Sequence, residues 1–283
     1  MRTPDLATLR RAPHWSYSSL NTFLNVCSLQ WAFRHVYAAE PRFTPAGLAF
    51  GGVFHRCLEY LARLRRSGED AAAGRALDLF SDLWGQECRI AAPPLRFGDG
   101  DADALDALGR SMLAAYVAGT DPGETVVAVA LPFSAPLVDA AGRALKKPLI
   151  GEVDCVVESG GSVTLVDWKT AARRWPESKV RLDLQPTCYL YAHRRNGGGA
   201  AAFRFDVVTK TKAPAVERHL TARTEDHFAR LVETVKVVDG MVRAEHFLPN
   251  DQGWACADCP YAAACAAWHR DRSRSLINLR LVA

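Results

Sequence analysis

The sequence predicts an α/β fold in which helices flank a central mixed β-sheet. Four segments rich in Val, Leu and Ile are typical of strands, at residues 124–133, 149–158, 162–170 and 201–209, and a predicted helix at 183–196 separates the last two. The 283 residues are 49% hydrophobic and 23% charged, which is enough to bury a substantial core. Because no secretory signal or membrane span opens the chain, we expect a cytoplasmic protein without membrane contact.

The helices are predicted on both sides of these strands. Residues 16–38 are expected to form one helix that carries Cys27, and residues 53–120 a helical region that begins with an amphipathic helix at 53–66. Gly and Pro predict a mobile loop at 91–102. A long helix is predicted at 222–246, followed by a tail to residue 270. We expect one domain over residues 1–283, with 124–210 as its core.

Two of the predicted strands form a hairpin that carries the main chemical pattern. The strands at 149–157 and 162–170 are joined by Ser-Gly-Gly-Ser, a tight-turn sequence. Asp154 and Asp167 lie thirteen residues apart, one on each strand. Because side chains alternate along a strand, Asp167 and Lys169 project from one face.

These residue types suit hydrolysis of a phosphodiester. Asp154 and Asp167 offer oxygen ligands to Mg²⁺ or Mn²⁺, to which the main-chain carbonyl of Trp168 can add another. Lys169 can orient water and stabilise charge that develops on phosphate. The alternative is an ordinary ion pair between Asp154 and Lys169 on the surface of a hairpin. The apolar neighbours of both aspartates argue against it, since a charge in such a strand is costly unless it is paired or metal-bound.

The eight cysteines provide a second pattern. Cys256, Cys259 and Cys265 form a C-x₂-C-x₅-C group, and three such ligands imply a fourth. Thiolates suit either an iron-sulfur cluster or tetrahedral Zn²⁺, and the spacing does not separate the two. A disulfide framework is disfavoured in a reducing cytosol.

Taken in order, these motifs resemble those of the PD-(D/E)XK nuclease superfamily, and within it the RecB-like and CRISPR-associated exonucleases with an iron-sulfur cluster. The resemblance implies a restriction-endonuclease-like core. It also implies that His55, in Gly47-Leu-Ala-Phe-Gly-Gly-Val-Phe-His55, binds metal with Asp154 and Asp167. Cys27 is implied as the fourth ligand of a 4Fe-4S cluster that joins the N- and C-terminal helices.

The segment Gln185-Pro-Thr-Cys-Tyr189 resembles the Q-x-x-x-Y helix of the same group. Four-residue spacing places Gln185 and Tyr189 on one helix face, where they can contact a phosphate or steer Lys169. Pro186 is tolerated only in a first helical turn, so Gln185 is expected at the helix start. The alternative is an ordinary amphipathic helix with Tyr189 in the core.

Two positions depart from the family pattern. Ser28 follows Cys27 where relatives often have proline, and residues 126–133 lack the glutamate that many relatives carry in their first core strand. Metal binding is then expected to depend on His55, Asp154 and Asp167, with Glu152 as a weak substitute.

Basic residues follow the hairpin and predict contacts with a nucleic-acid backbone, at Arg173, Arg174, Lys179 and Arg181. The net charge of +4 is too small to identify such a protein by itself.

The leading functional hypothesis is a metal-dependent DNA exonuclease that acts on single-stranded ends by two-metal-type hydrolysis, for example in DNA repair or recombination. A second hypothesis is a subunit that processes or binds DNA ends only within a CRISPR spacer-acquisition or helicase-nuclease complex. A third is a zinc-stapled binding protein in which the hairpin motif is fortuitous.

Overall fold

A computed structural model describes residues 4–69, 73–98, 100–251, 253 and 255–278. Its helices are α1 (Leu6–Leu9), α2 (Tyr17–Asn21), α3 (Ser28–His35), α4 (Ala46–Ser67), α5 (Ala73–Ile90), α6 (Ala102–Ala118), α7 (Glu177–Leu182), α8 (Gln185–Arg195), α9 (Glu225–Arg243) and α10 (Ala262–Asn278). Its strands are β1 (Thr44–Pro45), β2 (Leu95–Arg96), β3 (Thr125–Ala135), β4 (Leu149–Ser159), β5 (Ser162–Ala171), β6 (Ala201–Thr209) and β7 (Val216–Thr221).

The central sheet has the order β3-β4-β5-β6-β7. Strands β5 and β6 run parallel, and the other neighbours run antiparallel. The parallel pair is possible because α7 and α8 return the chain from the end of β5 to the start of β6. The predicted α/β fold with a mixed sheet is confirmed.

Helices cover both faces of this sheet. On one face, α2, α3, α8 and α9 pack over a core that includes Phe203 and Phe205. On the other face, α4, α5 and α6 pack over a core that includes Phe50 and Trp168. Among the described residues, no helix combines the length and the apolar character that crossing a membrane would require.

The prediction of one continuous helix over 16–38 is wrong. After α2, residues 22–26 form a π-helical turn, and Cys27 is fully extended at φ −170° and ψ 120°. Its sulfur caps the next helix by accepting a hydrogen bond from Gln30 N at 3.4 Å. The break at Cys27 therefore lets α3 begin in a new direction.

Other boundaries also differ from the sequence prediction. Helix α4 begins at Ala46, whereas the sequence prediction placed its start at residue 53. The prediction missed the first turns because their glycines dilute the apolar periodicity. The predicted loop at 91–102 contains β2, which pairs with β1, and its residue 99 lies outside the described residues. The predictions missed α7, which is only six residues long, and β7, which is a partly exposed edge strand.

Candidate active site

The β4–β5 hairpin brings the two aspartates together at the point where its ladder ends. Paired residues run from Ser159 and Ser162 to Cys155 and Val166. The next positions along the two strands are Asp154 and Asp167. The strands stay close there, since Trp168 N donates a hydrogen bond to Asp154 Oδ2 at 2.9 Å.

Asp167 is held from two sides and is only 2% exposed. Gln185 Nε2 donates a hydrogen bond to its Oδ1 atom, and Lys169 Nζ forms an ion pair with its Oδ2 atom. The structure thus brings together Asp167 and Lys169, which strand alternation predicts on one face. The orientation of the carboxylate is fixed by groups from β5 and α8.

His55 reaches the same site from α4. Its Nδ1 atom lies 3.4 Å from Asp154 Oδ2, and its ring also hydrogen-bonds to the backbone of Trp168. The indole of Trp168 packs edge-on against the imidazole, with the ring centroids 6.2 Å apart. Helix α4 therefore presents His55 to both Asp154 and the Trp168 main chain, the groups expected to bind metal.

Burial and mutual repulsion set the protonation of these groups. Burial, and then the charge of Asp167, raise the pKa of Asp154 well above its ordinary value. Burial alone would lower the pKa of Lys169, but Asp167 and Asp154 raise it above its ordinary value. Burial and the nearby Lys169 lower the pKa of His55 to about 4. At neutral pH, Lys169 is a cation and the His55 imidazole is neutral.

Gln185 and Tyr189 support the site from the first turns of α8. Helix α8 begins at Gln185, with Pro186 in its first turn. Both side chains are buried, at 2% and 9% exposure. The amide contacts Asp167 rather than Lys169. Gln185 therefore contacts a carboxylate of the site, and Tyr189 lies one turn farther along α8.

The ring of Tyr189 depends on a glycine in β4. Phe133, opposite Gly151 in the sheet, packs edge-on against Tyr189 with centroids 5.2 Å apart. A Cβ atom at Gly151 would lie 2.5 Å from the Phe133 ring. Only glycine lets Phe133 cross β4 and reach Tyr189.

The neighbouring strand β3 is irregular where it passes Asp154. Val129 pairs with Cys155 and Leu131 pairs with Val153, so Ala130 lies across from Asp154. Ala130 has φ +47°, in the left-handed region that favours glycine. The irregularity lies within residues 126–133, the segment that lacks the glutamate expected from the family resemblance.

Two more residues adjoin the site that the sequence patterns did not indicate. Tyr17, in the first turn of α2, hydrogen-bonds to Asp183, and burial followed by the charge of Asp183 raises its pKa. Asp183 Oδ1 also accepts a hydrogen bond from Gln185 N at 2.8 Å. No spacing in the sequence links residue 17 to residue 183, because the contact depends on how α2 packs.

Arg223 holds the segment that leads into α8. Its guanidinium donates to Thr187 Oγ1 at 3.0 Å and to the carbonyl oxygens of Val180, Arg181 and Asp183 at 3.1–3.3 Å. It therefore fixes the end of α7 relative to the start of α8. Gln185 lies in this braced segment.

The indole of Trp168 is anchored on the other face of the sheet. Its Nε1 atom donates to the Tyr116 hydroxyl at 2.8 Å, and that hydroxyl donates to Asp206 Oδ2 at 3.2 Å. Arg204 forms ion pairs with both Asp206 and Glu124. Helix α6 thereby helps to fix the main chain between Asp167 and Lys169.

The four predicted nucleic-acid contacts lie beyond the end of β5, and all are exposed. Arg174 forms an ion pair with Glu217 at 3.3 Å, and Lys179 lies 4.1 Å from the ring centroid of Trp175. Arg173 and Arg181 lie on the same segment. Positive charge therefore follows β5 along the chain, offset in part by Glu217.

The four cysteines of the predicted cluster line one cavity of about 240 Å³. The segment before the C-terminal three is joined to the N-terminal region: Ser28 Oγ donates to Leu248 O at 3.1 Å and accepts from Leu248 N at 2.8 Å. These two hydrogen bonds use the hydroxyl of the residue that departs from the family pattern. None of the eight cysteines, all of which the structure describes, forms a disulfide.

In the part of the chain that the structure describes, no three His, Cys, Asp or Glu side chains are grouped closely enough to form a ready-made metal site. The donor atoms at the hairpin nevertheless suit a hard cation. Gln185 Oε1 is buried without a hydrogen bond, and Asp167 Oδ2 has only its ion pair with Lys169. The four thiols around one cavity suit iron or zinc.

Comparisons with known proteins agree with this geometry. A family model described as the PD-(D/E)XK nuclease superfamily matches residues 14–266. No match was found among curated proteins. A solved structure of a candidate exonuclease from Eubacterium rectale matches this chain with a TM-score of 0.55. The match covers 91% of this chain and 93% of that chain at 14% identity. At this identity the similarity shows the fold alone. A solved structure named SSO0001 covers 88% of this chain and 95% of its own at 14% identity, but its TM-score of 0.35 supports no argument.

Proposed function

This chain belongs to the PD-(D/E)XK nuclease superfamily, and we propose that it is a divalent-metal-dependent DNA exonuclease whose active site is the Asp154–Lys169 hairpin. One observation carries the proposal. Asp154 and Asp167 meet where the β4–β5 ladder ends, with Lys169 against one carboxylate and His55 against the other. Such a set of groups is what phosphodiester hydrolysis requires.

The residues that would hold Mg²⁺ or Mn²⁺ are His55, Asp154, Asp167 and the Trp168 carbonyl. A neutral imidazole offers a lone pair to a metal, and the lowered pKa of His55 keeps it neutral at physiological pH. Two repelling carboxylates are relieved by a divalent cation. These residues would hold one or two metal ions, which would supply Lewis-acid stabilisation and a nucleophilic water.

Lys169 serves as a charged hydrogen-bond donor in this proposal. Because Asp167 and Asp154 raise its pKa, it keeps its proton at neutral pH and is not a general base. Its ammonium can orient water and stabilise the charge that grows on the phosphate oxygens. Gln185 and Tyr189 keep Asp167 in the orientation that this arrangement needs.

We further propose a 4Fe-4S cluster on Cys27, Cys256, Cys259 and Cys265, with zinc as the less favoured occupant. Support comes from four thiols around one cavity and from the resemblance to iron-sulfur exonucleases. A cluster held by thiolates fits a reducing cytosol, where we place the protein. Its role here is structural, since it would join the N-terminal segment to the region before α10.

The substrate that fits the family resemblance is single-stranded DNA with a free end. The test is a time course on 5′- or 3′-labelled linear single strands, linear duplex and circular single strands, with Mg²⁺, Mn²⁺ or EDTA, using anaerobically purified protein. We expect metal-dependent shortening of linear single strands and intact circles. Asp167→Asn should lower the rate at least about 100-fold.

Three other outcomes would redirect the proposal. Cut circles would identify an endonuclease. Cleavage that persists unchanged in Asp167→Asn would show that the Asp154–Lys169 hairpin is not the active site. A folded protein that binds DNA but never cuts it would favour a subunit that works only with a partner, such as a CRISPR spacer-acquisition or helicase-nuclease complex.

A further inference from the structure

A cavity of about 450 Å³ lies between the first turns of α4 and the ends of β5 and β6. His55 and Lys169 of the candidate site line one part of it, and Lys210 lines another. It is therefore continuous with the site rather than a separate pocket. Any strand that reaches Lys169 through this opening passes Lys210.

Lys210 is a half-buried cation to which no described residue offers a counter-charge. Within the described residues, its ammonium forms no ion pair, and its side chain is near the ring of Phe50, 5.2 Å from the centroid. Burial lowers the pKa of Lys210, and no neighbouring charge opposes this shift. Lys169, by contrast, has Asp167 beside it. A half-buried charge with no partner among the described residues is costly, and an anion in the cavity would offset that cost.

The position of Lys210 relative to Lys169 is fixed by the parallel strands. Lys169 pairs with Val207, and Lys210 N donates a hydrogen bond to Ala171 O at 2.7 Å. Lys210 therefore lies three residues beyond the partner of Lys169, or about 10 Å along the strand direction. We expect a separation of this size to place Lys210 at a different phosphate from the one that reacts.

The opposite wall of the cavity is formed in part by two glycines that have space for a larger side chain. Gly51 and Gly52 line it, yet a Cβ atom at Gly51 would meet only Thr170 Oγ1 at 3.7 Å, and one at Gly52 would meet nothing within 4 Å. Packing against the described residues does not require glycine at either position, although glycine weakens a helix. The space they leave faces the cavity, where a nucleic-acid backbone can approach closely.

We propose that Lys210 binds a backbone phosphate of the substrate strand next to the scissile phosphate, within the groove bounded by Gly51 and Gly52. The assignment rests on the proposed nuclease function. Lys210 positions the strand but takes no part in bond cleavage. Its ligand is a phosphodiester, so the contact is independent of base sequence.

The test measures binding of a fluorescent single-stranded oligonucleotide in an Asp167→Asn background over a range of NaCl concentrations. Adding Lys210→Ala should weaken binding about 5- to 10-fold at low salt and reduce the slope of log Kd against log salt by about 0.7. Lys210→Arg should keep the slope. Lys212→Ala, an exposed lysine two residues away, serves as the matched control and should change neither quantity.

A second variant separates binding from folding. Gly51→Ala should raise the Tm, because alanine favours the helix, and yet weaken binding, because its methyl group narrows the groove. If the parent protein cleaves DNA but Lys210→Ala leaves both Kd and salt slope unchanged, the role of Lys210 is overturned while the nuclease proposal stands. If the parent protein neither binds nor cleaves DNA, the nuclease function itself fails, and the Lys210 assignment fails with it.

Discussion

At the scale of single residues, the site is built from charges that oppose one another. Asp154 and Asp167 repel, and Lys169 and the Trp168 N–H offset part of this repulsion. A site of this kind destabilises the folded protein until a cation binds. The energetic cost of Asp154 is thus expected to be linked to its function.

Asp154→Asn should stabilise the protein in EDTA by about 1 kcal/mol, or a few °C in Tm. The pKa of Asp154 is raised above 3.8 on folding, so its stability penalty is present at neutral pH and disappears as the pH falls toward 4. Asparagine removes the charge while its oxygen still accepts the Trp168 N–H. Thermal unfolding at pH 7 and pH 4 checks whether Asp154→Asn raises the Tm and whether this gain disappears at low pH.

Asp139→Asn is a matched control for which we expect the opposite change in Tm. Backbone hydrogen bonds, chiefly from Arg143, lower the pKa of Asp139, so Asp139→Asn should lower the Tm at neutral pH. A drop in Tm for Asp154→Asn in EDTA would contradict the view that the two aspartates repel in the folded state.

The pH response of His55 is a second residue-scale prediction. Its pKa is about 4 in the folded protein against 6.5 for an ordinary histidine, so folding without metal loses stability as the pH falls from about 6.5 toward 4. NMR titration of the metal-free protein should find the His55 ring neutral at pH 5.5. A His55 transition near pH 6.5 would show that the imidazole is solvated rather than packed against Asp154 and Trp168.

At the scale of elements, the site depends on irregular segments whose sequences look ordinary. The break at Cys27, the left-handed Ala130 in β3 and the brace that Arg223 forms between α7 and α8 all position functional residues. Each arises from tertiary contacts, so local propensity does not indicate it. The hairpin itself was predictable, because its turn sequence and its alternating strands carry the geometry locally.

Ala130 provides a direct test of such an irregularity. Ala130→Gly should stabilise the protein by about 1 kcal/mol, because glycine adopts a positive φ without strain. Ala128, half-buried on the same strand and paired with Val156, is the matched position, where glycine should instead destabilise by roughly 0.5–1 kcal/mol. Urea unfolding of the two variants measures the difference. Equal destabilisation by both would mean that β3 is regular opposite Asp154.

At the scale of the whole molecule, the segment at residues 26–28 contacts the segment at residues 248–250. Ser28 and Leu248 exchange two hydrogen bonds, and Asn250 Nδ2 donates to Val26 O at 2.9 Å. From the sequence, this contact was expected only because the predicted cluster joins Cys27 to three cysteines near the C-terminus. The mixed sheet and the Asp154–Asp167–Lys169 set could be predicted, whereas Tyr17, Asp183 and the groove at Lys210 could not, because they depend on packing between distant segments.

The cysteine cluster should behave as a structural staple. Cys259→Ser should lower the bound iron and the Tm together in anaerobically purified protein, because the cluster would link distant parts of the chain. Cys88→Ser, a half-buried cysteine outside the cavity, should change neither iron content nor visible absorbance. A Cys259→Ser protein with full stability and no bound iron or zinc would contradict a structural role for the cluster.

The central claim is that Lys169, held by Asp167, acts in metal-dependent cleavage. The most direct measurement is the single-turnover rate of cleavage of linear single-stranded DNA with Mn²⁺ for the parent protein, Lys169→Ala and Lys236→Ala, the last being a lysine on α9 paired with Glu233. We predict a loss of at least about 100-fold for Lys169→Ala and no change for Lys236→Ala. Equal rates in all three folded proteins would contradict the assignment of the active site.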